Sequence, residues 1–351
     1  MNDNKTSKNS IVAKFAVPIS FLILFFLAAN FTDCDLVTFW KRRNHLTDLV
    51  VDMIPPDFSY IQKILLPLFY TIQMSVTGTV LGTFFALVLS PFGAANLGFP
   101  AVIRRILRIV IQILRSFPAL ILALTATFLF GLGTFAGTFA ITLYTFAIMT
   151  KLTYEDASAA DVKAYQALRA MGVSKYVAYI HGILPEIIPG FLTNALYLLE
   201  TNVRHSSILG YVGAGGIGLL LNEKISWLEY DKVGTILLML FLTVCVIEYF
   251  SRYLAALIRK ERTIKKEQAR LLLLFLAALF LICTFTLSLP DFSRTSPQTL
   301  RNMFAGFLQP DWSFFFSAEK DGLGYLLLET VCIAFIGTVI GAIVSAPLAF
   351  L

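Results

Sequence analysis

The sequence holds 351 residues, 57 % hydrophobic and only 14 % charged, with a mean hydropathy of +0.76. Soluble domains carry roughly a quarter charged residues, so this chain lacks the polar surface to cover itself in water. A soluble globular enzyme, a disordered tail and a secreted disulfide scaffold are excluded. What remains is an all-α, polytopic membrane protein, whose net charge of +6 is read from its placement along the chain and not as affinity for nucleic acid.

A helix needs about 20 apolar residues to cross a bilayer. The first candidate covers residues 17–31, after Lys5, Lys8 and Lys14, and no small-residue cleavage site follows it, so it reads as an uncleaved first helix. Further spans are expected at 65–89, 233–250, 271–289 and from 325 to the end, with another starting at Glu186. Residues 116–150 contain no charged side chain in 35 positions, and Gly131, Gly133 and Gly137 lie at the centre, where a tight connection needs them. Basic clusters occur at the N-terminus, at Arg104, Arg105, Arg108 and Arg115, and over 252–270, which holds seven Lys and Arg. Two crossings within 116–150 put all three clusters on one side, as the positive-inside rule requires. The N-terminus is then cytoplasmic, 32–64 and 290–324 are external loops, and 151–185 is a long cytoplasmic loop. Residues 206–232 return near the outer surface.

Cys34, Cys245, Cys283 and Cys332 form no C-x-x-C pair, and three of them lie in apolar stretches where a thiol acts as a small hydrophobe. His45, His181 and His205 show no ligand spacing. No metal and no cofactor is expected.

The chain also resembles itself. Ile54-Pro55-Pro56-Asp57-Phe58-Ser59-Tyr60 is similar to Leu308-Gln309-Pro310-Asp311-Trp312-Ser313-Phe314, at an offset of 254. Leu68, Thr71, Gly78, Thr79, Val80 and Gly82 recur as Leu327, Thr330, Gly337, Thr338, Val339 and Gly341, at an offset of 259. Shared leucines follow from composition, but the ordered P-D-aromatic-S and G-T-V-x-G patterns indicate duplication. Six spans separate the copies, so they run in parallel. The reading is one complete unit, 1–267, with six spans, and the first part of a second, 268–351, with two. The chain stops inside an apolar run at Ala349, Phe350 and Leu351, which reads as a truncated second copy.

Within 151–185, a helix over Gln166-Ala167-Leu168-Arg169-Ala170-Met171 ends at Gly172, suited to the left-handed conformation past a helix end. Ser174 is placed to cap the next helix, and Pro185 and Glu186 suit the first turn of the following span. A short helix–glycine–helix is either a plain amphipathic connector or a docking knob for a soluble partner. The order Gln166, Ala167, Gly172, Leu184, Pro185 resembles the EAA coupling loop of ABC importer permeases. It departs at Gln166, where the motif prefers Glu, and at Gly182, where it prefers an aliphatic residue. Glu155 resembles an upstream acidic position of the same families.

Downstream, Glu200, Asn202, Arg204 and Ser206, then Leu209-Gly210-Tyr211-Val212-Gly213-Ala214-Gly215-Gly216-Ile217-Gly218, resemble the E-x-N-x-R-x-S and L-G-x-V-G-A-G-G-I-G signature of phosphonate importer permeases. The resemblance covers about residues 69–253. It implies a binding-protein-dependent importer for phosphonates or a related phosphorus oxyanion. It also implies an ABC ATPase dimer and an extracytoplasmic binding protein as separate chains, and a second permease unit, fused or in trans, in the bacterial inner membrane. Glu200 and Arg204 form an i, i+4 pair on one helix face with Asn202 on another. Ionisable groups within a span are costly and mark pathways or self-neutralising pairs. A guanidinium on a pathway is suited to meeting an oxyanion. Gly213, Gly215, Gly216 and Gly218 are expected to allow close packing or a helix break near the external mouth.

No G-x-x-x-x-G-K-[S/T] occurs, so ATP hydrolysis is expected on another chain. Related permeases for methionine, thiamine or phosphite are the nearest alternatives. A secondary transporter or a membrane-embedded lipid enzyme fits less well, the latter because the histidines are scattered.

Overall fold

The computed structural model describes residues 20–33, 36–261, 265–288, 301–302, 305–306, 309, 312–317 and 322–349. Lys5, Lys8, Lys14, Cys34, Leu308, Pro310 and Asp311, used in the sequence reading, lie outside the described residues. All regular elements among the described residues are helical. They begin with α1 (Ser20–Phe31), α2 (Leu36–Lys41), α3 (Arg43–Asp52), α4 (Ile61–Gly93) and α5 (Ala101–Ser116). Next come α6 (Ala119–Phe130), α7 (Thr134–Ala159), α8 (Lys163–Ala170), α9 (Lys175–Gly182) and α10 (Leu184–Leu209). The chain continues through α11 (Ile217–Ser226), α12 (Tyr230–Ile258), α13 (Lys266–Phe285), α14 (Trp312–Phe315) and α15 (Leu323–Leu348).

Among the described residues, α4, α7, α12, α13 and α15 are long and apolar enough to cross a membrane. Two bent pairs, α5 with α6 at 94° and α9 with α10 at 70°, raise the total to as many as seven. The expected crossings correspond to these elements and to α1, although α1 and α6 each have 12 described residues. At 1.5 Å per residue α6 is about 18 Å long, short of the ~30 Å hydrocarbon core. The loop expected at 151–185 begins later than the charges suggested. α7 runs on to Ala159 because Lys151 and Glu155 pair one turn apart, 3.4 Å between charged atoms, and so favour continued helix.

Contacts group the chain into two units, Val50–Leu300 and a second made of Met1–Leu49 with Arg301–Leu351. In the larger unit α4 is the central post. Its Gly78 and Gly82 let α7 approach closely: a Cβ at Gly78 would lie 2.7 Å from Ile141 Cγ2, and one at Gly82 would lie 2.7 Å from the Thr142 carbonyl. In an apolar solvent such small-residue faces drive helix association by close packing and not by water exclusion. The Thr71, Ser75, Thr79 and Thr83 hydroxyls run along the buried side of α4 and donate to carbonyls one turn back.

α13 belongs to this larger unit, whereas the sequence boundary at 267/268 puts it in the second copy. Gln73 of α4 donates through Nε2 to the Cys283 carbonyl (3.0 Å) and to Thr286 Oγ1 (2.8 Å). In the smaller unit α1 packs on α15. Phe21 and Phe335 meet edge to face at 5.0 Å, Phe31 and Tyr325 lie tilted by 37° at 4.8 Å, and an apolar groove of about 430 Å³ lies between the helices.

Candidate coupling surface and translocation site

At one end of the larger unit, α8 and α9 form the helix–glycine–helix. Gly172 takes φ +87°, and the Met171 and Val173 N–H groups bond back to the Ala167 and Leu168 carbonyls, closing α8. Ser174 caps α9 by accepting from the Val177 N–H. Gly182 has a packing reason: a Cβ there would lie 2.8 Å from the Tyr165 backbone nitrogen, so the aliphatic residue of the resembled motif is replaced where α9 crosses α8. Pro185 stands in the first turn of α10, whose Glu186 accepts from the Asp161 N–H.

These helices are seated on a small apolar core that includes Leu97, Tyr165, Tyr179 and Ile187. The Tyr165 hydroxyl donates to the Leu97 carbonyl at 2.6 Å, and burial pushes its pKa up. The Lys175 ammonium donates to the Gly98 carbonyl. Residues 94–100, which follow α4, are therefore the seat of both short helices. Gln166, Ala167, Gly172 and Pro185 are exposed, Leu184 is half-buried, and Glu155 sits on α7, paired with Lys151. The sequence reading missed Tyr165 and Lys175, whose partners are carbonyls nearly 70 or more residues away. It also missed Met171, an apolar side chain 71 % exposed at the tip.

On α10 the resembled E-x-N-x-R-x-S run divides between two faces. Glu200 and Arg204 are ion-paired, with the Arg204 side chain 53 % exposed and that of Glu200 only 12 %. Asn202 is fully buried, and its Nδ2 donates to Thr79 Oγ1 of α4 and Thr145 Oγ1 of α7, each at 2.8 Å. Ser206 is buried beside it and accepts from the Ser75 hydroxyl at 3.1 Å. Asn202 and Ser206 thus join α4, α7 and α10. The Asn202 Oδ1 has no hydrogen-bond partner among the described residues.

Beyond α10 the chain makes a short 3₁₀ turn and breaks. Gly213, Gly215 and Gly216 have φ of +83°, +78° and +73°, a region closed to most side chains. Gly218 has no room for a side chain, since a Cβ would lie 1.8 Å from the Ser207 carbonyl. The Ile217 N–H, which opens α11, donates to Thr71 Oγ1 at 2.8 Å. The α6–α7 turn, with Gly131 at φ +83° and Gly133 at +143°, docks here through the Gly133 N–H and the Gly213 carbonyl. Gly133, Thr134, Gly215, Gly216, Tyr70 and Glu223 are among the residues lining a cavity of about 390 Å³. Irregular backbone is tolerated at membrane depth where it lines such a cavity.

Near this cavity the Lys224 side chain, 7 % exposed, pairs with Glu229 (2.9 Å) and Glu223 (3.1 Å), and Lys232 also pairs with Glu229 (2.6 Å). The Glu229 carboxylate raises the Lys224 pKa, and the two lysines lower that of Glu229. The Lys224 ammonium also lies 4.2 Å over the Trp227 ring and 5.6 Å from that of Tyr60, just before α4.

A membrane-spanning bundle with a two-helix knob at one end and a glycine-broken helix at the other defines a transport subunit of the inner-membrane permease class. Residues 78–262 match the binding-protein-dependent transport system inner membrane component family, and the chain belongs to that family. It is 31 % identical over 217 residues to the phosphite transport system permease protein PtxC of Stutzerimonas stutzeri, covering 62 % of this chain and 79 % of that protein. It is also 31 % identical over 203 residues to the phosphate-import permease protein PhnE of Mycolicibacterium smegmatis, covering 58 % of this chain and 38 % of that one. Among solved structures, the MetNI methionine ABC transporter in an inward-facing conformation aligns with a TM-score of 0.51 at 20 % identity. That alignment covers 57 % of this chain and 99 % of the other, a likeness of fold. Family membership makes this a multi-pass membrane transport component that works with an ATPase and a substrate-binding protein.

Proposed function

We propose that the chain is the permease of an ATP-driven importer for a phosphonate or a related phosphorus oxyanion such as phosphite, with ATP hydrolysed on a separate dimeric subunit. The observation that carries the substrate class is the similarity to a phosphite permease over 79 % of that protein's length. The Glu200–Arg204 pair, an exposed guanidinium held by a largely buried carboxylate, supports it. Glu155, Gln166, Ala167, Gly172, Leu184 and Pro185 form the surface on which the ATPase dimer pushes. Glu200, Arg204 and the loop of Gly213, Gly215, Gly216 and Gly218 border the solute path, and Asn202 and Ser206 hold α10 in place behind it. The N-terminus is cytoplasmic, in agreement with basic residues 104–115 and 252–270 on the same side.

Residues 268–351 correspond to the opening part of a second permease unit. The helix pairings support this: α13, the counterpart of α1, rests on α4, and α1 rests on α15, the counterpart of α4. Each copy's first helix thus lies on the other copy's central one. The mycobacterial relative is, by the matched shares, about twice as long as the phosphite permease.

The test is uptake by cells lacking their own phosphorus-oxyanion importers, supplied with this chain, its ATPase and its binding protein. Phosphite or methylphosphonate uptake should appear and should fall at least tenfold with Arg204→Ala. Uptake of methionine alone would overturn the substrate assignment.

A further inference from the structure

α5 is not explained by any step of transport. Its sequence, Ala101-Val102-Ile103-Arg104-Arg105-Ile106-Leu107-Arg108-Ile109-Val110-Ile111-Gln112-Ile113-Leu114-Arg115-Ser116, contains four arginines and no acidic residue. On a 3.6-residue repeat the arginines and Gln112 share one face, and Ile103, Ile106, Val110 and Ile113 the opposite one. That apolar face is open: Ile106 is 57 % exposed, and Ile113 53 %. Only Ile111 of this helix is buried.

Three observations fix what such a face meets. The helix turns by 94° into α6, at residues 116–118, so the two helices do not both run along the membrane normal. Next, α5 is fastened to the end of the bundle that carries α8 and α9, the cytoplasmic end in the function proposed above: Arg108 Nε donates to the Gly93 carbonyl at 3.0 Å, and its guanidinium lies 5.0 Å over the Tyr154 ring. Lastly, an almost wholly apolar groove of about 360 Å³ opens beside the helix, lined by Leu89, Ile103, Ile106, Leu107, Val110 and Phe146. Arg105 is exposed, as is Arg115, and neither has a hydrogen bond or ion pair among the described residues. A basic helix with an open apolar face is the form that lies in a bilayer interface. Its positive charge is complementary to acidic lipid.

We propose that α5 is an in-plane anchor that binds anionic phospholipid. Acyl chains lie along its apolar face and in the Leu89–Phe146 groove, and the headgroups are held by Arg105 and Arg115. Through Arg108 and Gly93 the anchor is tied to the end of α4, next to residues 94–100 that seat the coupling helices.

The test uses the full chain purified from a detergent mixture of equal phosphatidylglycerol and phosphatidylcholine, with retained lipid counted by native mass spectrometry. The wild type should retain phosphatidylglycerol preferentially, and the preference should collapse at 1 M salt, about a 3 Å screening length. Each basic side chain near an anionic surface contributes about fivefold to binding, so R105Q with R115Q should lower the ratio by roughly 25-fold, and R105K with R115K should keep it. Inorganic phosphate in large excess should displace nothing. Equal retention of both lipids by the wild type would overturn the proposal. So would a ratio unmoved in the glutamine variant, or displacement by free phosphate, which would mark a soluble-anion site. If the glutamine variant does not fold, the wild-type ratio and its salt response decide alone.

Discussion

Two stretches of this chain carry the same ordered residues and use them differently. In α4, Gly78-Thr79-Val80-x-Gly82 is the seam with α7: both glycines face side chains or backbone below 3 Å from a built Cβ, and the Thr79 hydroxyl receives Asn202. In α15, a Cβ at Gly337 or Gly341 would meet no described atom within 4 Å, and Thr338 is exposed and, among the described residues, bonds only its own helix at Ala334. The same G-T-V-x-G pattern is a contact surface in one place and an open face in the other. Small residues lower the distance at which two helices can meet, but they contribute stability only when a second helix is there.

Substitution at matched positions should separate the two most sharply at the second glycine. In Gly82→Val the new side chain faces the Thr142 carbonyl and the Phe146 nitrogen, backbone atoms that cannot swing aside. The loss should be about 3 kcal/mol, the upper part of the overpacking range. Gly341→Val should stay within about 0.5 kcal/mol, as for open positions. Thermal unfolding of both variants in one detergent measures the difference, and equal midpoints would show that α4 and α15 are equally covered.

The next contrast is between the threonines. Thr79→Val leaves one Asn202 N–H without its acceptor in a fully buried site, which costs about 2 kcal/mol. Thr338→Val removes a hydroxyl that bonds only a carbonyl one turn back and should change almost nothing. A cycle with Asn202→Ala sharpens this: the Thr79 and Asn202 losses should be less than additive, because both remove one bond.

How much of this was readable beforehand depended on the range of the interaction. The α6–α7 turn at Gly131 and Gly133, the left-handed Gly172, the Ser174 cap and Pro185 in the first turn of α10 follow from rules that act within a few residues. The continuation of α7 past Lys151 was missed because charge was taken to mark a loop, whereas Lys151 and Glu155 satisfy each other on one helix face. The 94° bend at residues 116–118 was also missed, since an uncharged run shows no break where Pro118 starts a new helix. Asn202 could be placed on a separate face from Arg204 by spacing alone, but its partners, 57 and 123 residues away, are set by packing. The inward turn of Asn202 therefore had no signal in the sequence.

A smaller effect is expected at the far end of α4. Tyr165→Phe removes the hydrogen bond to the Leu97 carbonyl and should cost about 1 kcal/mol. The sharper readout is coupling. With the seat of α8 and α9 loosened, ATPase activity of the assembled transporter should persist while uptake per ATP falls severalfold. Unchanged uptake per ATP would show that residues 94–100 support the fold and do not transmit force from the knob.

The start of α4 offers the last and smallest test, and it again divides the two similar stretches. Tyr60 sits beneath Lys224 and Lys232, which Glu229 holds together, while the residue that aligns with it at the offset of 254 is Phe314. The bond from Lys232, then that from Lys224, keeps the Glu229 carboxyl below its ordinary value of 4.5. A carboxylate lowered in the folded state stabilises above its unfolded value, and this is lost as pH falls toward the folded one. Wild type should therefore lose thermal stability from about pH 5 downward more steeply than Glu229→Gln, which starts lower at neutral pH because Lys224 has lost its main partner. The two curves should converge in acid. Parallel curves would mean that the clamp contributes no net stability, and that α4 is held at its start by the apolar contacts of Tyr60, Ile64 and Leu68 with Ile217 and Val233 alone.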